Sequence, residues 1–393
     1  MTDRRRVVVT GVGVVSPCGV GRDAFWTGLN SEPPEGERRA NDFDPAICFD
    51  NPKEARRTDR FAQMAMAAAA EALAQSGEST ADPFRAGVII GTGVGGLATL
   101  EEQIWAFHEK GPRRVSPFLV PMMMSNAAAA AVSMRYGWQG PCETTVTACA
   151  AGTHSIGNAA RLIAGGRTDT MLAGGSEAAM TPVGVQGFTN MTALSSSGRS
   201  MPFDAERDGF MIGEGAGVLV LEELQMARGR GAPILAEILG SASTADAHHI
   251  TAPAPGGAGA VACMELAMAD AGLGPDRITH INAHGTSTPL NDAAEAEAIN
   301  KLFGPTGPPV TSTKGVTGHA LGAAGALEAA ALILGMEHRL IPPTAGTRAL
   351  DPELSTINLV LGDAIEWEPG PAMSNSFGFG GHNGTLILGP PPS

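Results

Sequence analysis

Short apolar runs closed off by glycine recur through this 393-residue chain, and alanine-rich stretches fill the gaps between them. The runs are Val7–Val9, Gly87–Ile90, Thr170–Leu172, Val218–Leu221, Ile278–Asn282 and Thr385–Leu388. Their lengths and flanks are those of buried strands. Between them lie Ala62–Gln75, Ala127–Tyr136, Gly152–Ala164, Ala258–Ala271, Ala293–Phe303 and Ala323–Glu337, which read as helices whose small residues allow close packing. Alternation of this kind predicts a layered α/β architecture. The chain is long enough for two domains, yet Pro253–Gly259 and Gly304–Pro309 read as surface loops and no low-complexity linker intervenes. Each half has a glycine-bounded strand feeding a helix that begins near a reactive side chain, Cys149 in the first and His319 in the second. That echo suggests two similar halves meeting at one site, residues 1–232 and 233–393, with a boundary near Arg230–Pro233.

Composition narrows the function. A formal charge of -14 argues against general nucleic-acid binding, which needs clustered Lys and Arg, although a local basic patch could still dock an acidic partner. The five cysteines, Cys18, Cys48, Cys142, Cys149 and Cys263, are odd in number and form no CxxC pair. No histidine cluster has metal-ligand spacing, so neither a disulfide framework nor a zinc site is expected. The basic start runs straight into Val7–Val9, unlike a signal peptide, and no uninterrupted apolar run approaches a membrane span, so a cytoplasmic protein is expected.

Four segments carry chemistry. In Thr144-Thr145-Val146-Thr147-Ala148-Cys149-Ala150-Ala151-Gly152 a β-prone run ends at a cysteine, and small residues open a helix. A sharp strand-to-helix turn there would present the thiol at a helix N-terminus, whose dipole favours thiolate. The bland alternative is a small buried hydrophobe, and it is the reading kept for the other four cysteines. In Asn282-Ala283-His284-Gly285-Thr286-Ser287-Thr288 a histidine directly follows a strand, with hydroxyls at alternate positions able to hold a polar substrate arm. In Thr313-Lys314-Gly315-Val316-Thr317-Gly318-His319 a lysine and a histidine share a glycine-rich loop that has no Walker pattern. Asn375 to Gly384 is a glycine-rich turn before the last strand, with backbone N–H groups free to meet an oxyanion. Gly91-Thr92-Gly93-Val94-Gly95-Gly96 lacks the full dinucleotide fingerprint, so NAD is discounted.

Taken in order, these segments closely resemble the type II β-ketoacyl-[acyl carrier protein] synthases, from Arg5-Arg6-Val7 to Asn383-Gly384. The resemblance implies a thiolase-like five-layer α-β-α-β-α sandwich of two similar halves, usually a homodimer, with no cofactor or metal of its own. It implies an acyltransferase that condenses a malonyl group, carried on acyl carrier protein, with an acyl chain on Cys149. By the same resemblance His284 and His319 are the paired histidines, and Lys314 and Glu328 the supporting lysine and glutamate. Phe379 is the gating residue whose N–H completes the oxyanion hole with that of Cys149, and Gly378 and Gly380 flank it at the substrate. Thr286 and Thr288 hold the phosphopantetheine arm, Val94 lies against the acyl chain, and Lys53, Arg56 and Arg57 dock the carrier.

The chain departs from the family at several places. Only Ser196 to Met201 fills a segment that is longer in many relatives. Thr192 and Met201 stand where arginines are common, and His382 where Thr is frequent. None touches the catalytic set, but they bear on carrier docking and chain length. The rival readings are a ketosynthase of an aromatic polyketide pathway, a degradative thiolase and an inactive carrier-binding scaffold. A cysteine-less chain-length partner is disfavoured by Cys149.

Overall fold

The computed structural model describes residues 4–49 and 51–392. Ten principal strands form one continuous hydrogen-bonded sheet. The first five are β1 (Val7–Ser16), β2 (Ala86–Gly91), β3 (Cys142–Glu143), β4 (Thr170–Glu177) and β5 (Gly215–Glu223). The other five are β6 (Ala236–Ala245), β7 (His280–Asn282), β8 (Val310–Thr311), β9 (Ala372–Gly378) and β10 (His382–Gly389). Their spatial order is β3-β2-β4-β5-β1-β6-β10-β9-β7-β8. Read outward from β1 and from β6, the two sets of five repeat the same order and the same directions. They meet only where Val7–Val9 pairs with Ala236–Ile238.

Six helices complete the layers: α1 (Arg60–Ser76), α2 (Ala127–Tyr136), α3 (Ala151–Ala164), α4 (Ala258–Ala271), α5 (Pro289–Phe303) and α6 (Ala324–His338). α3 and α6 touch strands of both halves and each other, so they form the shared middle layer. α1 and α2 cover the outer face of the first half, and α4 and α5 that of the second. The five-layer α-β-α-β-α arrangement is therefore present. The middle layer is almost wholly buried, and α6 shows no exposed residue from Ala324 through Met336. A helix apolar on all sides is what a layer between two sheets requires. Close approach depends on missing side chains: a Cβ on Gly152 would lie 2.8 Å from Ala326 N, and one on Gly325 2.0 Å from Thr153 Oγ1. Among the described residues no helix is long and apolar enough to cross a membrane.

His280, on β7, is 2% exposed with both ring nitrogens unpartnered, and burial drives its pKa down to about 3. The folded state thus binds fewer protons than the unfolded state between pH 3 and 6.5, and stability falls as the medium is acidified through that window. We expect His280→Phe to remove this contribution. At pH 5 the variant should lose about 2 kcal/mol less, relative to its own pH 7 value, than the parent in urea melts.

Candidate active site

The two halves bring their reactive loops together at the ends of the middle helices. Cys149 lies in a tight 3-10 turn, Ala148–Ala150, that runs directly into α3. Ala148 carries φ 49°, a left-handed backbone at a non-glycine residue; such strain persists only where the surroundings enforce it. The second half has the matching turn at Leu321–Ala323 before α6, and Leu321 has φ 45°. The residue equivalent to Cys149 is therefore Gly322 rather than His319, which sits three positions earlier. A Cβ on Gly322 would lie 2.3 Å from Gly93 N, so the backbone of the first half occupies that space.

His319 nevertheless reaches the cysteine, with Nε2 2.9 Å from Sγ. Its backbone is pinned to the strand-like segment 211–213, its N–H donating to Met211 O at 2.7 Å and its carbonyl accepting from Gly213 N at 3.0 Å. The His284 ring stands edge-on to His319 with centroids 5.3 Å apart. Cys149, His284 and His319 are all buried, and they offer side-chain donor atoms within 4.8 Å of one another. Such a set could also ligate a soft divalent ion, in the same space that a thioester would need.

Lys314 lies beneath the histidines, 1% exposed, and all its donor capacity is used. Nζ donates to His284 O at 2.6 Å, approaches His284 Nδ1 at 3.3 Å, and pairs with Glu328 Oε1. An ammonium can only donate, so while Nδ1 accepts from it the neutral ring keeps its hydrogen on Nε2. Burial, and after it the Lys314 charge, hold both His284 and His319 well below the ordinary histidine value, so both rings are neutral. Burial also raises the Glu328 carboxyl, against the pull of Lys314. Breaking this pair leaves a buried charge uncompensated. Lys314→Met should therefore cost about 3–5 kcal/mol in urea unfolding, with much of the loss recovered in Lys314→Met/Glu328→Leu.

The surroundings of the thiol oppose the thiolate expected from its place at a helix start. Burial pushes the Cys149 pKa up to about 12, overriding Lys314 and the N–H groups of Phe379 and Cys149, which pull it down. In so dry a pocket the sulfur keeps its proton, and His319 Nε2 is placed to accept it. The two backbone N–H groups expected to meet an oxyanion lie beside the sulfur. β9 and β10 form a hairpin, and its turn brings the Phe379 N–H to the sulfur. A Cβ on Gly378 would lie 3.0 Å from Thr147 O and 3.1 Å from Cys149 N, so a side chain there would have to push the hairpin and the elbow apart by a few tenths of an ångström. Asn375–Gly378, read from sequence as part of a loop, is the end of β9.

Cys149, His284 and His319 open into a cavity of about 650 Å³. Thr286, Thr288, Gly378 and Phe379 also line it, and the Thr286 and Thr288 hydroxyls are 2.9 Å apart. Lys314 and Glu328 are buried and do not line it. Val94 does not line the cavity and is 48% exposed, and Gly380 turns outward with its N–H on Ile250 O at 2.7 Å. Lys53, Arg56 and Arg57 are exposed on and just after a short turn of helix, away from the cavity lining, with Arg57 stacked 4.4 Å over the Phe118 ring. Thr192 is at the cavity wall, whereas Met201 is buried with its N–H on Ser287 Oγ at 2.8 Å.

Two buried carboxyls escaped the sequence reading. Glu295 accepts from His284 N at 2.8 Å and Gly285 N at 2.7 Å, clamping the histidine loop. Glu177 accepts from Gly93 N at 2.5 Å and Gly322 N at 3.1 Å, tying one half's loop to the other's. Burial lifts each pKa to about 7. The available signal was a pair of acids, Asp292 and Glu295, on the face that also carries Ala296, Ala298 and Ile299, and an acid ending a wholly buried strand.

The family described as "Beta-ketoacyl synthase, N-terminal domain" matches residues 31–227, and "Beta-ketoacyl synthase, C-terminal domain" matches 235–348. The chain belongs to the β-ketoacyl synthase family. This synthase is 43% identical to the 3-oxoacyl-[acyl-carrier-protein] synthase 2 of Synechocystis sp., covering 98% of each chain. Among solved structures it resembles the ishigamide ketosynthase/chain length factor, with TM-score 0.92 and 33% identity over 99% of this chain and 100% of the other. It also resembles a type II polyketide ketosynthase in complex with its acyl-carrier protein and bound to a hexaketide, with TM-score 0.89 and 32% identity over 98% and 100%.

Proposed function

We propose that this synthase is a 3-oxoacyl-[acyl carrier protein] synthase II, lengthening acyl chains by two carbons through decarboxylative Claisen condensation. The observation that carries the reading is the buried constellation of Cys149 Sγ, His319 Nε2 and the His284 ring at the foot of one cavity. In the first half-reaction the thiol proton passes to His319 as sulfur attacks the incoming thioester. The tetrahedral oxyanion rests on the N–H groups of Cys149 and Phe379, and the departing phosphopantetheine thiol takes the proton from His319. In the second, a malonyl thioester enters along Thr286 and Thr288. Its carbon–carboxylate bond breaks to release carbon dioxide, and the electron pair becomes an enolate held by the Nε2–H of neutral His284 and by that of His319. The His319 ring must first exchange its hydrogen from Nδ1 to Nε2 through solvent after the acyl-transfer step. The enolate carbon attacks the acyl carbonyl, and Cys149 leaves as thiolate and is reprotonated.

Exposed Lys53, Arg56 and Arg57 suit an acidic carrier protein. A homodimer accounts for the open edge strand β3 and for helix Leu97–Lys110, which exposes Ile104, Trp105 and Phe107 by 50%, 57% and 49%. The polyketide reading draws on the two solved structures, but at 32% and 33% identity against 43% for the fatty-acid relative. Product analysis tests the choice. Purified protein given acyl-carrier and malonyl-carrier thioesters should release one β-ketoacyl product two carbons longer. A poly-β-ketone from repeated extension would favour the polyketide assignment, and no product from any chain length would sink both.

A further inference from the structure

A second cavity, of about 690 Å³, lies on the far side of the His319 loop and plays no part in the condensation chemistry. Its wall includes Arg38, which is 2% exposed yet makes no ion pair among the described residues. One nitrogen donates to Gly36 O at 2.8 Å, and Nε has no partner. Burying an uncompensated guanidinium costs several kcal/mol, and proteins ordinarily meet that cost with a carboxylate. Ser200 lines the same cavity, is also 2% exposed, and its hydroxyl is likewise unpartnered. Two buried polar atoms from separate stretches of chain, Arg38 Nε and Ser200 Oγ, are thus left without partners beside one cavity. Burial holds the Arg38 guanidinium below its ordinary value, as expected of a cation without a counter-charge.

We propose that this cavity is an anion-binding site for a small phosphate ester, with Arg38 and Ser200 gripping the phosphate. A guanidinium fork alone satisfies a flat carboxylate. Here donors arrive from Arg38 and Ser200, with exposed Arg199 and Arg348 at the rim, a spread that suits a tetrahedral oxyanion. Exposed Glu32, Glu35 and Asp363 also stand at the rim, so net charge does not select the ligand. Those carboxylates are screened by solvent, whereas the buried pair is not. The volume exceeds that of a bare phosphate and falls in the range of small-molecule sites, leaving room for the ester's body. The location gives binding a route to the catalytic centre. The Arg38 stem packs under Gly318, where a Cβ would lie 2.7 Å from Arg38 Cγ, and Gly318 precedes His319.

Isothermal titration at constant ionic strength, with inorganic pyrophosphate and glycerol 3-phosphate as probes, tests the site without reference to condensation. The parent protein should bind at one saturable site. Arg38→Lys, which keeps the charge but loses the fork, should weaken binding at least about tenfold. Ser200→Ala should weaken it about two- to tenfold, the worth of one hydrogen bond. No saturable binding to either probe by the parent below about 10 mM overturns the proposal. So does binding that Arg38→Lys leaves unchanged, since the anion would then sit elsewhere.

Discussion

Cys149→Ala is expected to abolish both acyl transfer and condensation, lowering the rate on the order of 10⁴-fold or more while leaving the fold intact. The substitution removes only the sulfur from a buried site and leaves the backbone of the turn unchanged in sequence. The variant should melt close to the parent by circular dichroism and form no acyl adduct with any carrier thioester. Condensation that persists in the variant would remove the cysteine from the mechanism. Cys149→Gln separates the half-reactions: it should still decarboxylate malonyl carrier, because both histidines stay in place, while failing to condense.

The second large effect divides the two histidines. Each supplies one N–H to the developing enolate, so His284→Ala and His319→Ala should each slow malonyl decarboxylation by about 10²–10³-fold. Acyl transfer should respond differently. Only His319 lies at hydrogen-bond distance from Sγ, at 2.9 Å, and the sulfur it faces holds its proton tightly. His319→Ala should therefore also slow acylation of Cys149, whereas His284→Ala should leave acylation near the parent rate. Single-turnover acylation followed by mass spectrometry reads the split, and equal losses in both variants would contradict it. Both rings have pKa values well below the usual histidine value, so neither histidine should impose a titration step on decarboxylation between pH 8 and pH 6.

Much of this was legible in the residues. Each glycine-bounded apolar run falls within or overlaps a strand, because strands buried on both faces carry no polar face to blur the pattern, and each alanine-rich stretch lies in or overlaps a helix. β6 and β9 were not read as strands, since serine, threonine and asparagine occupy them; Ser374, Asn375 and Ser376 are buried side chains with no apolar signature. Helix Leu97–Lys110 was also missed, because Ile104, Trp105 and Phe107 point outward and break the amphipathic pattern. The reactive residues stood out because Cys149, His284 and His319 each interrupt a run of small residues, where bulk and polarity are conspicuous.

What the sequence could not convey is electrostatic. The helix-start argument favours a thiolate at Cys149, yet the depth of the pocket reverses it, and depth is set by residues from both halves at once. Glu177 and Glu295 were invisible for the same reason, since their partners are backbone N–H groups that carry no sequence signature. Val94 shows the limit of carrying a role across by motif position. It sits where the family pattern puts it, but in the single chain its side chain is half exposed and outside the cavity.

The most direct test of the account is intact-mass spectrometry, with peptide mapping, after mixing the protein with a panel of acyl-carrier thioesters. The account predicts one acyl group per chain, mapped to Cys149 and discharged as a β-ketoacyl product when malonyl carrier is added. An unmodified mass across every saturated and unsaturated chain, or an adduct on another cysteine, would contradict it.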